Sequence, residues 1–448
     1  MPVILVTDVL VWLLVAGTIG YAAYCRRHDH LAAPWRRVFS SRAAMMSLVV
    51  LLAYLAVGLA DSLHFRSQLE RKDPSAPVAY SNDVTSLLDL AVGGLRARSE
   101  KTYSAPFATR LYAKELIEVP GGKSVREYPR LRHGGTHLKD EADHGSDVAT
   151  RAFGALAVAF MCWVVLGWAL RGFARRHAGV PWGAAYLAFG LLLAVAAPAF
   201  TLSGSYHVLG TDKVGQDVFY LSLKSIRTSL VIGTLTTLVM LPRGAAVGIM
   251  AGYFRGWVDD VIQYLYTTLN SIPGVLLIAA SVLMMQVYID THPELFPTTA
   301  QRADLRLLFL CIILGLTSWT GLARLLRGEA LKLRELEYIQ AAHAFGVSHT
   351  RIIGRHILPN VINSSIVLAT LMLGVVIVTE ASLSFLGVGV PPPKPAWGVM
   401  LSDGKQGLMV GYWWLTVMPG TCIMLMVLSA NLLGDWLRVK LDPQLRQL

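Results

Sequence analysis

The sequence predicts an all-α polytopic membrane protein, and three observations carry that prediction. Of the 448 residues, 54% are hydrophobic and only 15% are charged, and the mean hydropathy is positive, too apolar for a water-soluble chain of this length. Nine apolar runs are long enough to cross a hydrocarbon core of about 30 Å, which takes roughly 20 helical residues. Arg and Lys gather in the short connections between runs, a bias that membrane insertion imposes because cationic residues resist translocation.

In chain order the runs lie at about 3–24, 43–60, 152–173, 182–203, 224–252, 260–289, 305–324, 363–388 and 413–437. The first reads as a retained span, because Met1 to Tyr24 carries Asp8 and no Lys or Arg, whereas a secretory signal opens on positive charge. Arg26, Arg27, Arg36, Arg37 and Arg42 separate the first two spans, and Arg171, Arg175 and Arg176 separate the third and fourth, so both connections belong in the cytoplasm. Nine crossings then put the N-terminus outside and the C-terminus inside, with Arg438, Lys440 and Arg446. The same count places 325–362 inside, with Arg324, Arg327, Lys332, Arg334, Arg351 and Arg355 in or beside it. Asp8 and Asp61, near the outer ends of their spans, read as water-facing boundary residues.

Between 61 and 151 the composition turns polar and mixed in charge, as in RSQLERKDPSAPVAY and GGTHLKDEADHGSDVATR. This predicts an extracytoplasmic insert of about 90 residues, a length at which loops translocate whatever their charge. LYAKELIEV, residues 111–119, reads as one short ordered element. GGKS at 121–124 ends like a phosphate-binding loop, but that motif needs glycine five residues before Gly122, where Ile117 stands, so a turn is expected. His133, His137 and His144 have no Cys or regular helix to fix them around a metal and read as solvated surface histidines.

Composition also excludes function classes. The net charge of +11 sits largely in connections that the topology requires to be basic, leaving no patch for nucleic acid. Cys25, Cys162, Cys311 and Cys422 are scattered without CxxC spacing, so apolar packing and not metal or redox chemistry is expected. No Ser/His/Asp set, HExxH or recognisably spaced carboxylate pair points to an enzyme.

The segment AAHAFGVSHTRIIGRHILPN, residues 341–360, stands between two strongly apolar spans yet is short, basic and broken by glycine. Leu331 to Ala344 are good helix formers, and Gly346 suits the left-handed residue just past a helix C-terminus. Ser348 is expected to cap a second short helix that Pro359 ends, with Arg351 and Arg355 at i, i+4 on one face and Ile352, Ile353 and Ile357 elsewhere. Such an element is shaped to press into a partner's groove; the alternative is a surface hairpin whose arginines only obey the charge rule.

QAAHAFG followed by HILPN resembles the cytoplasmic loop of ATP-binding-cassette (ABC) importer permeases: Gln340-Ala341-Ala342 in place of Glu-Ala-Ala, Gly346 four residues on, then Leu358-Pro359. HVLGTDKVGQDVF (207–219), AGYFRGWVDDVI (251–262), ARLLRGEALKLRELEYIQAA (323–342) and EASLSFLGVGVPPPKPAWGVML (380–401) are likewise similar to the second-subunit type of the dipeptide/oligopeptide and nickel branch, with Gln216 replacing an arginine. The resemblance covers about 182–448. It implies a type I ABC importer transmembrane fold of about six core helices, in the bacterial cytoplasmic (inner) membrane. Ahead of it stand a two-span module (1–60), the insert (61–151), and a third extra span with its cytoplasmic loop (152–181).

The resemblance further implies a coupling loop at 325–362 that meets ATPases through Gln340, Ala341, Ala342, Gly346, Arg351, Arg355 and Pro359. Implied partners are a second homologous permease subunit, two cytoplasmic ABC ATPase subunits, an extracytoplasmic substrate-binding protein and membrane lipid. No cofactor is expected in this chain; ATP and Mg belong to the ATPases, since no complete phosphate loop is present. Gly210, Thr211, Asp212 and Asp217 are expected to form an external scaffold, the two aspartates anchoring it through turn and cap hydrogen bonds. Glu380 lies late in an apolar span, where an ionisable group is costly; it reads as a structural hydrogen-bonding residue satisfied by Ser382 or Ser384, or as a residue of the path.

The function implied is the permease half of an ATP-driven importer for short peptides or related small solutes. An ion- or proton-coupled secondary transporter is the alternative, and it requires mid-membrane carboxylates or broken helices that only Glu380 approaches. A membrane sensor would need a signalling domain that is not expected after the last span.

Overall fold

The computed structural model describes all residues except 29–34, 36, 69–79, 120–122, 177–178, 297, 391–393 and 442–448. Arg36, Arg446 and the turn expected at Gly121 and Gly122 therefore fall outside the described residues. The chain forms two compact units: Met1–Ile4, Phe39–Ser229 and Lys394–Met426 make one, and Leu5–Val38, Leu230–Pro393 and Val427–Leu448 the other. Among the described residues nine helices are long and apolar enough to cross a membrane.

The first unit holds α2 (Arg42–Asp61), α5 (His144–Arg176) and α6 (Trp182–Ser203). Its polar part contains an antiparallel sheet of β1 (Pro2–Val3), β2 (His64–Gln68) and β3 (Tyr80–Ser86), and the short helices α3 (Leu87–Ala91) and α4 (Gly93–Ala97). A hairpin of β4 (Glu115–Val119) and β5 (Lys123–Glu127) follows. The element read at 111–119 is thus strand from Glu115 onward, and it is ordered by pairing with KSVRE, whose single apolar residue gives no strand signal of its own. Ser86 and Asp89 close a reciprocal capping box at the start of α3. Leu88, Val92 and Leu95 then bury themselves against Phe219, Tyr220 and Leu223, at the start of α7 (Val218–Phe254).

The second unit takes the rest of α7 from Leu230, with α1 (Val6–Arg26), α8 (Gly256–Ser271), α9 (Gly274–Thr291), α10 (Thr299–Thr317) and α11 (Trp319–Arg334). After these come α12 (Glu337–Ala344), α13 (His349–Ile352), a π-helical turn at Ile353–Ile357, and α14 (Leu358–Phe385). α15 (Trp397–Leu408) lies in the first unit, and α16 (Trp414–Leu441) begins there.

Gly248 and Gly252, four apart on α7, let its backbone lie directly on α11: a Cβ would stand 2.5 Å from the Ala323 carbonyl oxygen or 2.6 Å from the Ala330 Cβ. Around this contact Leu322, Leu326, Ile339, Ile352 and Ile357 form a fully buried apolar core.

One expected span is divided and another is bent. The run 260–289 is α8 and α9, broken at Pro273, which has no amide N–H and forces Ile272 into extended backbone (φ −88°, ψ 128°); only α9 has membrane-crossing character. The run 305–324 falls within one membrane-crossing segment, Thr299–Arg334, in which Ser318 marks a one-residue turn between α10 and α11; Thr317 Oγ1 donates back to the Ile313 carbonyl there at 2.9 Å, a bond that bends helices.

Asp8 and Asp61 are buried, contrary to the expectation of water-facing residues. Other parts of the chain cover both span ends. Lys224 Nζ lies 2.5 Å from Asp61 Oδ1 and 3.1 Å from Asp89 Oδ2, and Ser86 Oγ donates to Asp61 at 2.6 Å. Beside Asp8, the backbone N–H of Thr7 donates to Asp304 of α10 at 3.1 Å, and the Thr7 hydroxyl donates to the other carboxylate oxygen.

Candidate functional site

The segment 335–359 is built around one turn. α12 ends in a Schellman motif: the Val347 N–H donates to the Ala342 carbonyl at 3.1 Å and the Gly346 N–H to that of His343 at 3.0 Å. Gly346 has φ +75°, the left-handed value expected of it, and a Cβ there would meet nothing within 4 Å, so the demand for glycine is conformational and not steric. Val347 and Ala342 both pack on the core of the second unit. Ala341 is exposed, and exposed Gln340 donates to the Glu335 carbonyl at 3.1 Å.

Beyond the turn the structure differs from expectation twice. Ser348 occupies the N-cap position of α13, but its hydroxyl makes no cap bond; only its carbonyl accepts, from the Arg351 and Ile352 N–H groups. Pro359 does not end the helix. α13 runs through the π turn into α14, and Pro359 sits in the first turn of α14, where an amide N–H is not required. The faces separate cleanly: Ile352 and Ile357 are buried, while Arg351 and Arg355 are exposed on the other side.

Phe345, beside the turn, is 87% exposed, and sequence reasoning missed it as a contact candidate. It also missed the wall behind α12. Arg255 Nη2 reaches Glu335 Oε1 at 2.5 Å, Arg334 Nη1 donates to the Tyr253 carbonyl at 2.6 Å, and the Tyr253 hydroxyl meets His349 Nδ1 at 2.8 Å. These residues with Gln340 and His343 line a cleft of about 410 Å³. The signal was the motif AGYFRG, which brings Tyr253, Phe254 and Arg255 to this place.

In the first unit, the loop carrying Gly210, Thr211, Asp212 and Asp217 is folded on itself and roofed by the insert. Asp212 Oδ1 accepts the Val214 and Gln216 N–H groups at 3.0 and 2.8 Å. Asp217 Oδ1 accepts those of Phe219 and Tyr220 at 2.8 and 3.2 Å, capping α7. Thr211 Oγ1 accepts the Ser104 N–H at 2.7 Å and donates to the Thr102 carbonyl at 2.9 Å. Gly210 and Gly215 have positive φ, and their missing side chains admit the backbone of Ser104 and Glu100.

A buried charge cluster locks this junction. His207 Nδ1 lies 2.7 Å from Asp217 Oδ2 and its Nε2 lies 3.4 Å from Glu100 Oε1, all three side chains being at most 2% exposed. Glu100 also accepts the N–H groups of Arg132 and His133 at 2.9 and 2.7 Å. Burial by itself lowers the His207 pKa, but hydrogen bonds and charge from Asp217 and Glu100 outweigh it and raise it to about 9. Glu100 is held below the ordinary carboxylate range: burial opposes this, and hydrogen bonds from His207, Arg132 and His133 overcome it. Burial raises Asp212, against hydrogen bonds from Gln216 and Val214.

Of the insert histidines expected to be solvated, His133 is exposed, whereas His137 and His144 are engaged. His137 Nε2 lies 2.8 Å from Asp147, and the His137 and His144 rings pack edge-on against Tyr206. Among the described residues no cluster of three or more His, Cys, Asp or Glu side chains is placed to hold a metal.

Glu380 is fully buried in α14. Ser384 Oγ donates to its Oε1 at 2.7 Å and accepts the Val390 N–H at 2.9 Å, tying the carboxyl to the loop after the helix. Ser382 instead donates to the Val378 carbonyl, so Ser384 alone of the two serines reaches Glu380.

Residues 244–447 match the family described as the binding-protein-dependent transport system inner membrane component. The glutathione transport system permease protein of Pectobacterium atrosepticum is 36% identical over 242 residues, 54% of this chain and 74% of the relative. The dipeptide transport system permease protein of Bacillus subtilis is 33% identical over 54% of this chain and 70% of its own length. For the oligopeptide transport system permease protein of Mycobacterium bovis the values are 34%, 55% and 78%. The chain therefore belongs to the inner membrane permease family of binding-protein-dependent transport systems, the ABC importer permeases.

Proposed function

We propose that this chain is one of two permease subunits of an ATP-driven importer for short peptides, and that 325–362 is the loop on which the ATPases act. The observation that carries the reading is the division of that loop into a seated side and a free side. Ile339, Ile352 and Ile357 are sunk in the core, while Phe345, Arg351 and Arg355 are offered outward around a rigid glycine turn. The substrate class rests on the relatives, which are named for glutathione, dipeptide and oligopeptide transport.

In this reading a second homologous permease completes the path, and an extracytoplasmic binding protein delivers the substrate. Two cytoplasmic ABC ATPases hold ATP and Mg, while this chain performs no hydrolysis. The N-terminus lies outside and the C-terminus inside in this reading, which the Arg and Lys distribution supports. Closure of the ATPases pushes the Gly346 turn. The unbroken helical path from His349 to Phe385 carries that displacement to the level of Glu380, a two-state element biased from one end.

The test is purification of the tagged chain with its transport system. The expected result is a complex holding a second permease and two ATPases, whose ATPase stimulation and peptide uptake fall at least tenfold in Gly346→Val. A solitary chain that transports, or a Gly346→Val variant with wild-type uptake, refutes the reading.

A further inference from the structure

The first unit carries a groove that none of these roles uses. α2, α5 and α6 enclose an apolar slot of about 890 Å³, within the range of roughly 300–1,000 Å³ typical of sites for small molecules. Leu52 and Gly167 belong to its walls, Tyr186 and Ala196 to its floor on α6, and Trp168, Arg171 and Trp182 stand at the end nearest the α5–α6 connection. Arg171 is exposed and is met by no counter-ion among the described residues.

We propose that this groove binds a phospholipid with an anionic headgroup, its acyl chains in the slot and its phosphate on Arg171. Three features favour that occupant. The floor runs from Trp182 to Ala196, about 21 Å of helix, which matches one leaflet of a bilayer about 40–45 Å thick with its headgroups. A transmembrane helix in the same place would need a groove along the full hydrocarbon thickness of about 30 Å. The charge stands only at one end, flanked by two tryptophans of the kind that settle at the headgroup level, so the polarity of the slot runs as that of a lipid does.

A second groove on the α5–α6 hairpin, of about 340 Å³, provides an internal contrast. It is lined by Leu156, Phe160, Trp163 and Leu191 among others and has no charged residue, so it offers acyl chains contact without headgroup selection.

The proposal rests on the inward placement of the α5–α6 connection in the reading above, and the two are tested separately. For the site, the purified full chain is placed in nanodiscs of equal parts phosphatidylglycerol and phosphatidylcholine, and retained lipid is read by native mass spectrometry. Wild type is expected to keep one phosphatidylglycerol in preference to phosphatidylcholine. Arg171→Gln should lose that preference by roughly fivefold, about what one charge near a membrane surface supplies, while still retaining lipid. Ala196→Phe fills the floor and should release lipid of either headgroup. The two variants alter opposite ends of the slot, so if one fails to fold the other still decides.

Equal retention of both lipids by wild type, unchanged preference in Arg171→Gln, or a partner helix crosslinked through Leu52→Cys in place of lipid would each overturn the site. For the topology, Arg175→Cys in a chain lacking its own cysteines is labelled from one side of the membrane. Outward labelling defeats the topology without touching the lipid measurement.

Discussion

The turn at Gly346 and the loop from His207 to Asp217 are both tight, glycine-bearing segments, yet they are held by opposite means. The first is seated by apolar burial of Ile339, Ile352 and Ile357 and leaves its charges exposed. The second is fixed by a buried histidine between two carboxylates and roofed by residues of the insert more than 100 positions earlier in the sequence. A segment seated on apolar surface keeps its polar groups free for a partner. A segment seated on buried charge has already used them, because a buried ion must be paired where it stands.

The largest effect that can break this contrast is Asp217→Ala. It takes from His207 the nearer of its two carboxylate partners and uncaps α7 together, and should cost about 3–5 kcal/mol, read as a lowered midpoint of thermal or denaturant unfolding in detergent. A loss under 1 kcal/mol would mean that the cluster is not the anchor.

Raising the pH comes next. Because the folded pKa of His207 lies above its unfolded value, its stabilising contribution is complete below about pH 6.5, declines as the pH climbs, and is gone above about 9. The loss is of order 3 kcal/mol across that window. His207→Gln should flatten the curve there, and Gly346→Ala should not.

Gly346→Ala sharpens the other side. At φ +75° with open space around it, the change should cost only about 1 kcal/mol of stability. Uptake should fall by a larger factor than that, because the turn would be displaced while its seat survives. The smallest effect is expected of Gln340→Glu: an exposed side chain with one bond to a carbonyl should shift stability by less than about 0.5 kcal/mol and uptake less than twofold.

What the sequence made legible follows from the range of each interaction. The nine runs, Gly346 and the opposition of Arg351 and Arg355 to the isoleucines rest on composition or on spacings within a helical turn, and local periodicity reports such spacings. The break at Pro273 was also local, in SIPG, but the apolar composition around it masked the proline. Pro359 was misread because a terminator and a first-turn residue look alike until the preceding π turn is known. Asp61, Glu100 and His207 escaped for a different reason: their partners lie 163 and 107 residues away, at Lys224 and across the insert, and no windowed pattern encodes such pairings.

The bond between Thr7 and Asp304 bears on how the chain is made. α1 leaves the ribosome well before α10, and the carboxylate that receives its first-turn amide is encoded 297 residues later. At roughly 5–20 residues per second that is an interval of about 15–60 s. Throughout it α1 must wait in the bilayer with that end unfinished, so its correct assembly depends on how promptly α10 arrives.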